Sequence, residues 1–186
     1  MALDTIDAVG SDQGRDLSSS QTADLPLIGA EKYEQVHARA KEIALKSGVP
    51  VTSVNHLISR HGDRVNEVLD LIAADTLLGG LIAPNLPYLR AEVIHAVRFE
   101  AALHLEDVLT RRTRLSVETW DRGTDSALEV AQLMARELGW DESQIHSEVE
   151  HYVKRVESER SSNKQLDDEG ADASRIAVGD VRESFA

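Results

Sequence analysis

Two ionisable side chains of opposite sign continue predicted apolar helix faces. There they could pair with each other, bind a ligand or face a partner domain. Glu100 follows a stripe of apolar residues at helical spacing: Leu89, Val93, Ala96 and Val97. Arg112 extends the next apolar stripe, which begins at Leu105, in the same way. A buried charge is tolerated only when it is paired and hydrogen-bonded. We therefore predict that Glu100 pairs with an arginine of the 111–114 cluster, and Arg112 is the first candidate.

Arginines are concentrated in that cluster, and their chemistry allows two roles. The guanidinium fork of Arg111, Arg112 or Arg114 could bind a phosphate or face a partner domain. The alternative is a structural ion pair that fixes how two helices meet, since such networks also perturb charges. Asp107 and Arg111 are spaced as i, i+4 partners on a helix. The candidates for an internal network or a docking surface are thus Glu100, Asp107, Arg111, Arg112 and Arg114.

The histidines show no spacing that is typical of a metal or catalytic site. There are seven: His37, His56, His61, His95, His104, His146 and His151. The sequence also contains no HExxH, no GxSxG, no P-loop and no GxGxxG motif after a strand. We predict no catalytic, cofactor-binding or metal-binding residue in this chain. A stand-alone enzyme would instead require a pocket that joins His95 or His104 to the arginine cluster.

Composition narrows the function classes. The net charge of −13 argues against nucleic acid and anionic membrane surfaces, which bind basic faces. A helix–glycine–helix pattern between Val51 and Asp75 resembles a DNA-binding motif only weakly, because its second helix offers only Arg64 as a basic contact before turning acidic. Without cysteine there is no disulfide or thiol nucleophile. No apolar run approaches 20 residues, so we expect no membrane insertion and a cytoplasmic location.

Helices are the elements that would position these residues. We predict an all-α fold, a compact bundle of six or seven helices, because hydrophobic residues recur with helical spacing and aromatic residues are only 4% of the chain. One helix is expected over about 30–46, and Asp141 is expected to cap the last one. The alternating residues 115–120 are expected to be extended.

The bundle should occupy the middle of the chain. Residues 1–24 are polar and lack periodicity, so we predict a disordered arm or linker. Residues 25–159 should form the helical domain. Residues 160–186 are again polar and acidic, which predicts a disordered tail.

Several stretches resemble one known family. The segments are LPLIGA (25–30), LISRHGDRVNEVLDLI (57–72), YLRAEV (88–93), LEDVLTRRTR (105–114), EVAQLMARELGW (129–140) and EVEHYVKRVESE (148–159). They are similar to the C-terminal helical domain of FAD-dependent glycerol-3-phosphate dehydrogenases and alpha-glycerophosphate oxidases. The resemblance implies a family that oxidises glycerol 3-phosphate to dihydroxyacetone phosphate on FAD and passes electrons to quinone or oxygen. It also implies a family peripheral to the inner face of the cell membrane.

The resemblance transfers no catalytic or FAD-binding residue, because the family's flavin fold and substrate contacts precede this domain. It therefore implies an accessory cap, belonging to a split, truncated or excised dehydrogenase, that packs on a flavin domain or self-associates. The alternative is an independent all-α protein-interaction module with no redox role. An exposed apolar patch on the flavin-facing side would favour the cap, whereas a fully solvated surface would favour the independent module.

Overall fold

Helices form where apolar residues recur at helical spacing, and glycines end several of them. A computed structural model describes residues 2–179 and 181; Met1, residue 180 and residues 182–186, which the predicted tails include, lie outside the described residues. The α-helices are α1 (Ala2–Asp12), α2 (Tyr33–Ala38), α3 (Ala40–Ser47), α4 (Val51–His61), α5 (Val65–Ala74), α6 (Arg90–Phe99), α7 (Leu115–Glu118), α8 (Ala127–Leu138), α9 (Glu142–Ser162) and α10 (Asp168–Ile176). A π-helix, Asp107–Arg112, lies between α6 and α7.

Helix α6 is central to the packing. It contacts α5 on one side and α8 on the other, while α8 packs on α9 and α4 packs on both α3 and α5. The core between them is aliphatic, and its fully buried side chains include Leu57, Ile58, Leu105, Leu109 and Met134. Burying such a side chain stabilises the fold by roughly 1.5–3 kcal/mol.

The all-α prediction is confirmed. The described residues form no β-strand, and their only bridge outside helices is an isolated antiparallel pair, Leu81 and Leu89. The structure has ten α-helices there, against six or seven expected. Part of the difference arises because the helix expected over 30–46 is divided at Arg39, whose φ of −98° and ψ of 9° interrupt it. No helix of the described part is long and apolar enough to cross a bilayer.

The prediction of an extended segment at residues 115–120 is wrong. Its first four residues form α7, a single helical turn in which the backbone N–H of Thr119 donates to the Leu115 carbonyl at 3.1 Å. The alternation is misleading because its apolar residues Leu115 and Val117 differ in environment. Leu115 is fully buried, whereas Val117 is 65% exposed.

Each tail that the sequence predicts to be disordered contains a helix in the structure. Helix α1 lies within residues 1–24, and its large apolar side chains, Leu3, Ile6 and Val9, are exposed. Helix α9 runs three residues past the boundary predicted at residue 159, and α10 then packs against it. Helix α10 begins with a local signal that composition hides, because the Asp167 carboxylate accepts the Gly170 N–H at 2.7 Å.

A close backbone contact fixes the start of the helical domain. The Asp63 N–H donates to the Gly29 carbonyl at 2.9 Å, and the Lys32 N–H donates to the Asp63 carboxylate at 3.0 Å. Gly62 adopts a φ of +60°, and a Cβ at this position would lie 1.9 Å from the Gly29 oxygen. Only glycine allows this approach. The LPLIGA segment is thereby held against the end of α4.

Candidate functional site

Helix α6 begins with a buried carboxylate. Glu92 is only 3% exposed, and its Oε2 accepts the Leu89 N–H at 2.8 Å, which caps the first turn of the helix. His56 Nε2 on α4 lies 3.0 Å from Glu92 Oε1, and Arg60 Nε lies 3.8 Å from the same oxygen. The carboxylate therefore joins α4 to α6 as well as capping its own helix.

Helix α6 ends with a second carboxylate, the predicted Glu100. It occupies the C-cap position rather than a core-facing turn, and its side chain is 31% exposed. Arg112 Nε lies 3.6 Å from Glu100 Oε2, and the Arg112 guanidinium also donates to the Glu100 carbonyl at 3.1 and 2.7 Å. Ala101 follows with a φ of +54°, which turns the chain out of the helix. Glu100 and Arg112 thus connect the end of α6 to the π-helix.

Two histidines lie between these carboxylates. His61, at the end of α4, has Nδ1 3.8 Å from Glu100 Oε1 and Nε2 3.8 Å from Glu92 Oε1. His95 on α6 has Nδ1 3.4 Å from Glu100 Oε1 and Nε2 3.1 Å from Glu67 Oε2. The two rings meet edge to face with centroids 4.7 Å apart. We call the residues His56, His61, Glu92, His95, Glu100 and Arg112 the α6 cluster.

The cluster keeps its carboxylates ionised. Burial raises the pKa of Glu92, but the contacts with His56 and His61, together with the Leu89 N–H, outweigh burial and hold that pKa at about 2. The neighbouring His95 lowers the pKa of Glu100, against the opposing effect of burial. Burial lowers the pKa of His95, yet Glu100 and Glu67 raise it above its ordinary value on balance. The carboxylates of this cluster are therefore ionised, and each is paired with neighbouring groups.

A small cavity opens beside the α6 cluster. Its volume is about 190 Å³, and its walls comprise Ile28, Arg60, His61, Arg64, His95, Phe99 and Glu100. Ile28 and Phe99 at its mouth are 84% and 54% exposed. The ligand atoms of His61, His95 and Glu100 all lie within 4.8 Å of one another, so these residues could hold a metal ion. The mouth is apolar and the floor is charged.

A second charged group, which we call the Glu106 cluster, comprises Glu106, Asp107, Arg111 and Arg155. Arg111 donates to Asp107 at 3.1 Å and to Glu106 at 2.7 Å, and Arg155 Nη1 lies 3.0 Å from Glu106. Asp107 also accepts the backbone N–H groups of residues 103 and 104, each at 3.0 Å. Glu106 is 6% exposed, so the two arginines neutralise a buried charge. This group joins the π-helix to α9.

A cavity of about 810 Å³ beside the Glu106 cluster brings His104 and Arg111 to one wall. A pocket of this kind is what the stand-alone enzyme hypothesis requires. However, the residues described as its lining include no hydroxyl, thiol or amine nucleophile. His104 Nδ1 also lies 2.8 Å from Glu148, a 1%-exposed carboxylate on α9 that accepts the Leu105 N–H at 2.9 Å. The geometry places His104 in a helix-joining contact.

The five candidates from the sequence separate into three places. Glu100 and Arg112 lie together in the α6 cluster, and Asp107 and Arg111 lie together in the Glu106 cluster. Arg114 belongs to neither: its side chain is 68% exposed, and its Nε lies 3.9 Å from Glu118.

Sequence reasoning missed the buried glutamates, although a signal for each was present. Glu92 lies three residues after Leu89 and four before Ala96, so it shares their apolar face. Glu148 lies three residues after Ile145 and four before Tyr152. The spacing test that singled out Glu100 selects both. The grouping of His56, His61 and His95 has no such local signal, because α4 and α6 meet only in the folded chain.

Comparison with known proteins gives one consistent result. Residues 20–145 match the family described as the C-terminal domain of alpha-glycerophosphate oxidase. "Glycerol-3-phosphate dehydrogenase 2" of Mycobacterium tuberculosis (strain ATCC 25618 / H37Rv) is 38% identical over 182 residues, which is 98% of this chain and 31% of that protein. "Glycerol-3-phosphate dehydrogenase" of Mycobacterium leprae is also 38% identical over 182 residues, with the same shares. "Glycerol-3-phosphate dehydrogenase, mitochondrial" of Bos taurus is 29% identical over 156 residues, which is 81% of this chain and 21% of that protein.

No solved structure matches the chain. The chain spans about a third of the length of the mycobacterial relatives it matches. The family match covers most of the helical domain, including α2 to α8, the start of α9, the α6 cluster and the Glu106 cluster except Arg155. The chain therefore belongs to the family of the C-terminal domain of alpha-glycerophosphate oxidase and corresponds to the C-terminal domain of glycerol-3-phosphate dehydrogenase.

Proposed function

We propose that this chain serves as the helical cap of an FAD-dependent glycerol-3-phosphate dehydrogenase. In this proposal the complete enzyme oxidises glycerol 3-phosphate to dihydroxyacetone phosphate and passes the electrons to quinone. The cap supplies a packing surface and no reacting group. The observation that carries the proposal is the family match over residues 20–145, together with relatives named as glycerol-3-phosphate dehydrogenases.

The described residues do not fit FAD. A dinucleotide's pyrophosphate is commonly held where a strand passes through a glycine-rich turn into a helix. The described residues form no strand, and the close glycine pair, Gly29 and Gly62, is filled by its own backbone contact. We propose that the flavin is held by another part of the complete enzyme, and we derive no redox step through this domain.

The proposed docking face is the mouth of the 190 Å³ cavity. Ile28 and Phe99 are exposed there beside Arg60 and Arg64, so an apolar patch is bordered by charge. Leu27, one residue earlier, is 80% exposed. The LPLIGA segment that contains Leu27 and Ile28 resembles the stretch by which the chain enters this domain from the flavin body. A flavin body preceding the domain would therefore lie near this patch.

The alternative, an independent interaction module, predicts a surface without an orphan apolar patch. Exposed apolar groups at a charged cavity favour the cap, because monomeric surfaces rarely leave such groups together without a binding role. The described surface also exposes Trp120 completely, next to Val117 in α7. Trp120 offers a second contact for a flavin domain or for another protomer of the enzyme.

A domain exchange tests the proposal. The region of the Mycobacterium tuberculosis relative that matches this chain would be replaced by this sequence, and glycerol 3-phosphate:dye reductase activity would be compared with that of a variant lacking the region. We expect the exchange to restore activity. Within the exchanged protein, Ile28→Asp combined with Phe99→Asp should reduce both activity and retained flavin. Leu45→Asp is the matched control, since Leu45 is 89% exposed and does not line the cavity.

Two outcomes would contradict the proposal. One is an exchanged protein that is folded, by circular dichroism, yet has no more activity than the deletion variant. The other is an Ile28→Asp/Phe99→Asp protein that behaves like the Leu45→Asp control, which would remove the proposed docking face.

A further inference from the structure

Three potential metal ligands from separate places in the chain converge beside the 190 Å³ cavity. His61 comes from the end of α4, His95 from the middle of α6, and Glu100 from the C-cap of α6. All three line the cavity. Their side chains are 9%, 4% and 31% exposed, so both imidazoles are more than nine-tenths buried.

The distances among the ligand atoms fit a small metal ion. His95 Nδ1 lies 3.4 Å from Glu100 Oε1, and His61 Nδ1 lies 3.8 Å from the same oxygen. In a tetrahedral zinc site, with metal–nitrogen and metal–oxygen bonds of about 2.0–2.1 Å, neighbouring ligand atoms are roughly 3.3 Å apart. These two distances would have to shorten by about half an ångström at most, and all three ligands offer atoms within 4.8 Å of one another.

For each histidine, a second carboxylate lies near Nε2, the ring nitrogen that does not face Glu100. His95 Nε2 lies 3.1 Å from Glu67 Oε2, and His61 Nε2 lies 3.8 Å from Glu92 Oε1. The Glu67 carboxylate takes the N–H of His95 Nε2 and leaves His95 Nδ1 as a lone pair for the metal, whereas Glu92 lies too far from His61 Nε2 for a hydrogen bond. Glu100 is oriented in a comparable way, because its Oε2 faces Arg112 while its Oε1 faces the two histidines.

The histidines also carry buried nitrogen atoms whose hydrogen-bonding capacity is not used. His95 Nδ1 and His61 Nε2 are fully buried, and neither makes a hydrogen bond of acceptable geometry in the described structure. For His95 this holds although Glu100 lies at 3.4 Å, because the carboxylate is poorly aligned with the ring nitrogen. Buried polar atoms without a partner are rare and call for an explanation. A metal ion on His95 Nδ1 would give that atom a partner, whereas His61 Nε2 faces Glu92 and gives no support to a metal site.

We propose that His61, His95 and Glu100 form a zinc site with His61 Nδ1, His95 Nδ1 and Glu100 Oε1 as ligands and the fourth position open to the cavity. Two imidazoles and one carboxylate are a ligand set that suits Zn²⁺. The ion would connect the end of α4 to the middle and the C-terminal end of α6, beside the exposed Ile28 and Phe99. A water molecule or a group from a docked partner would complete the coordination.

The neighbouring cations do not prevent binding, because they are already paired. Arg64 Nε lies 2.7 Å from Glu67, and Arg60 Nε lies 3.8 Å from Glu92. Arg112 is held by Glu100 through both its carboxylate and its carbonyl. The three arginines thus face three glutamates.

Zinc binding tests the site. The full chain is first stripped of metal with EDTA, and its titration with ZnCl₂ is then measured by isothermal calorimetry and by thermal unfolding. We expect saturable binding of one ion per chain and a Tm that rises with zinc concentration. Co²⁺ should give the visible absorption of a tetrahedral or five-coordinate site. X-ray absorption on the zinc-loaded protein should show two imidazoles and one carboxylate.

Variants distinguish this site from surface histidines. His61→Gln, His95→Gln and Glu100→Gln should each abolish saturable binding, and Glu67→Gln should weaken it by roughly 10–100-fold. His37→Gln and His146→Gln are the controls, since both residues are exposed, and they should bind zinc as the unmodified chain does.

The proposal is overturned if the unmodified chain shows no saturable zinc binding, or if a control substitution removes it. It is also overturned if X-ray absorption shows fewer than two imidazoles. The spectroscopic measurements on the unmodified chain decide the question even where a ligand variant fails to fold.

Discussion

Replacing Glu92 by glutamine would remove a buried negative charge while nearly preserving the size of the side chain. Glu92 caps α6 through the Leu89 N–H and pairs with His56 on α4, and its side chain is only 2% exposed. Glutamine can still accept the Leu89 N–H through its amide oxygen, but it brings no negative charge to the contact with His56. The substitution therefore tests whether the charge itself stabilises the junction of α4 and α6.

The expected loss follows from the pKa of Glu92, which the fold lowers from 4.5 to about 2. One pH unit of such a difference corresponds to about 1.4 kcal/mol, so the folded protein favours the ionised carboxylate by roughly 3 kcal/mol. Removing one partner of a buried ion pair costs about 3–5 kcal/mol in other proteins. We expect Glu92→Gln to lower the free energy of unfolding by about 3 kcal/mol at neutral pH.

The dependence on pH provides a second, independent check. Because the folded-state pKa is lowered, the contribution is complete above the unfolded-state pKa of 4.5 and is lost as the pH falls towards 2. The difference between the unmodified chain and Glu92→Gln should therefore shrink to less than half between about pH 7 and about pH 3. Urea unfolding followed by circular dichroism, in buffer containing EDTA, measures it at each pH.

Glu129→Gln is the matched control. Glu129 lies 2.5 Å from Arg90 on the same helix α6, but its side chain is 38% exposed. An ion pair at the protein surface stabilises the fold by at most about 1 kcal/mol. This substitution should therefore have a small effect on the free energy of unfolding at both pH values. If Glu92→Gln costs no more than Glu129→Gln, or if its cost does not change with pH, the reasoning about the buried charge is refuted.

Three further substitutions give distinct expectations. Glu100→Ala should cost about 1–2 kcal/mol by urea unfolding, since the side chain is 31% exposed; a loss below about half a kcal/mol would show that its pairing contributes nothing. Glu148→Gln should cost about 2–4 kcal/mol, because a fully buried carboxylate holds a histidine and a backbone N–H; a Tm equal to that of the unmodified chain would contradict this. Gly62→Ala should cost far more than Gly48→Ala, whose φ of +73° strains alanine by about 1–2 kcal/mol but whose Cβ would meet nothing within 4 Å. Equal losses for the two glycine variants would mean that the contact between Gly62 and Gly29 is unimportant.

Local signals in the sequence located most helices of the bundle. Asp141 was expected to cap the last helix of the domain, and its carboxylate accepts the Gln144 N–H at 2.8 Å. Gly48 and Gly139 end α3 and α8 with left-handed backbone conformations, as helix-ending glycines do. These features depend on a few neighbouring residues, which is why periodicity and capping rules identify them.

The candidate site could be predicted only in part. Spacing along one segment drew attention to Glu100 and Arg112, which the structure places 3.6 Å apart. It could not associate His61 with His95, because they are separated by a helix and a loop, and motif searches detect only ligands at short fixed spacing. The position of Glu100 also differs from the helical-face argument, since α6 ends at Phe99 and Ala101 turns the chain away.

The central claim, that this chain acts as the cap of a glycerol-3-phosphate dehydrogenase, is tested most directly by reconstitution in trans. Glycerol 3-phosphate:dye reductase activity would be measured for a family flavoprotein truncated before its helical domain, with and without this chain added. The account predicts restored activity in the mixture, none from this chain alone, and co-elution of the two parts on a sizing column. A mixture that stays inactive and elutes as two separate species would contradict the cap function.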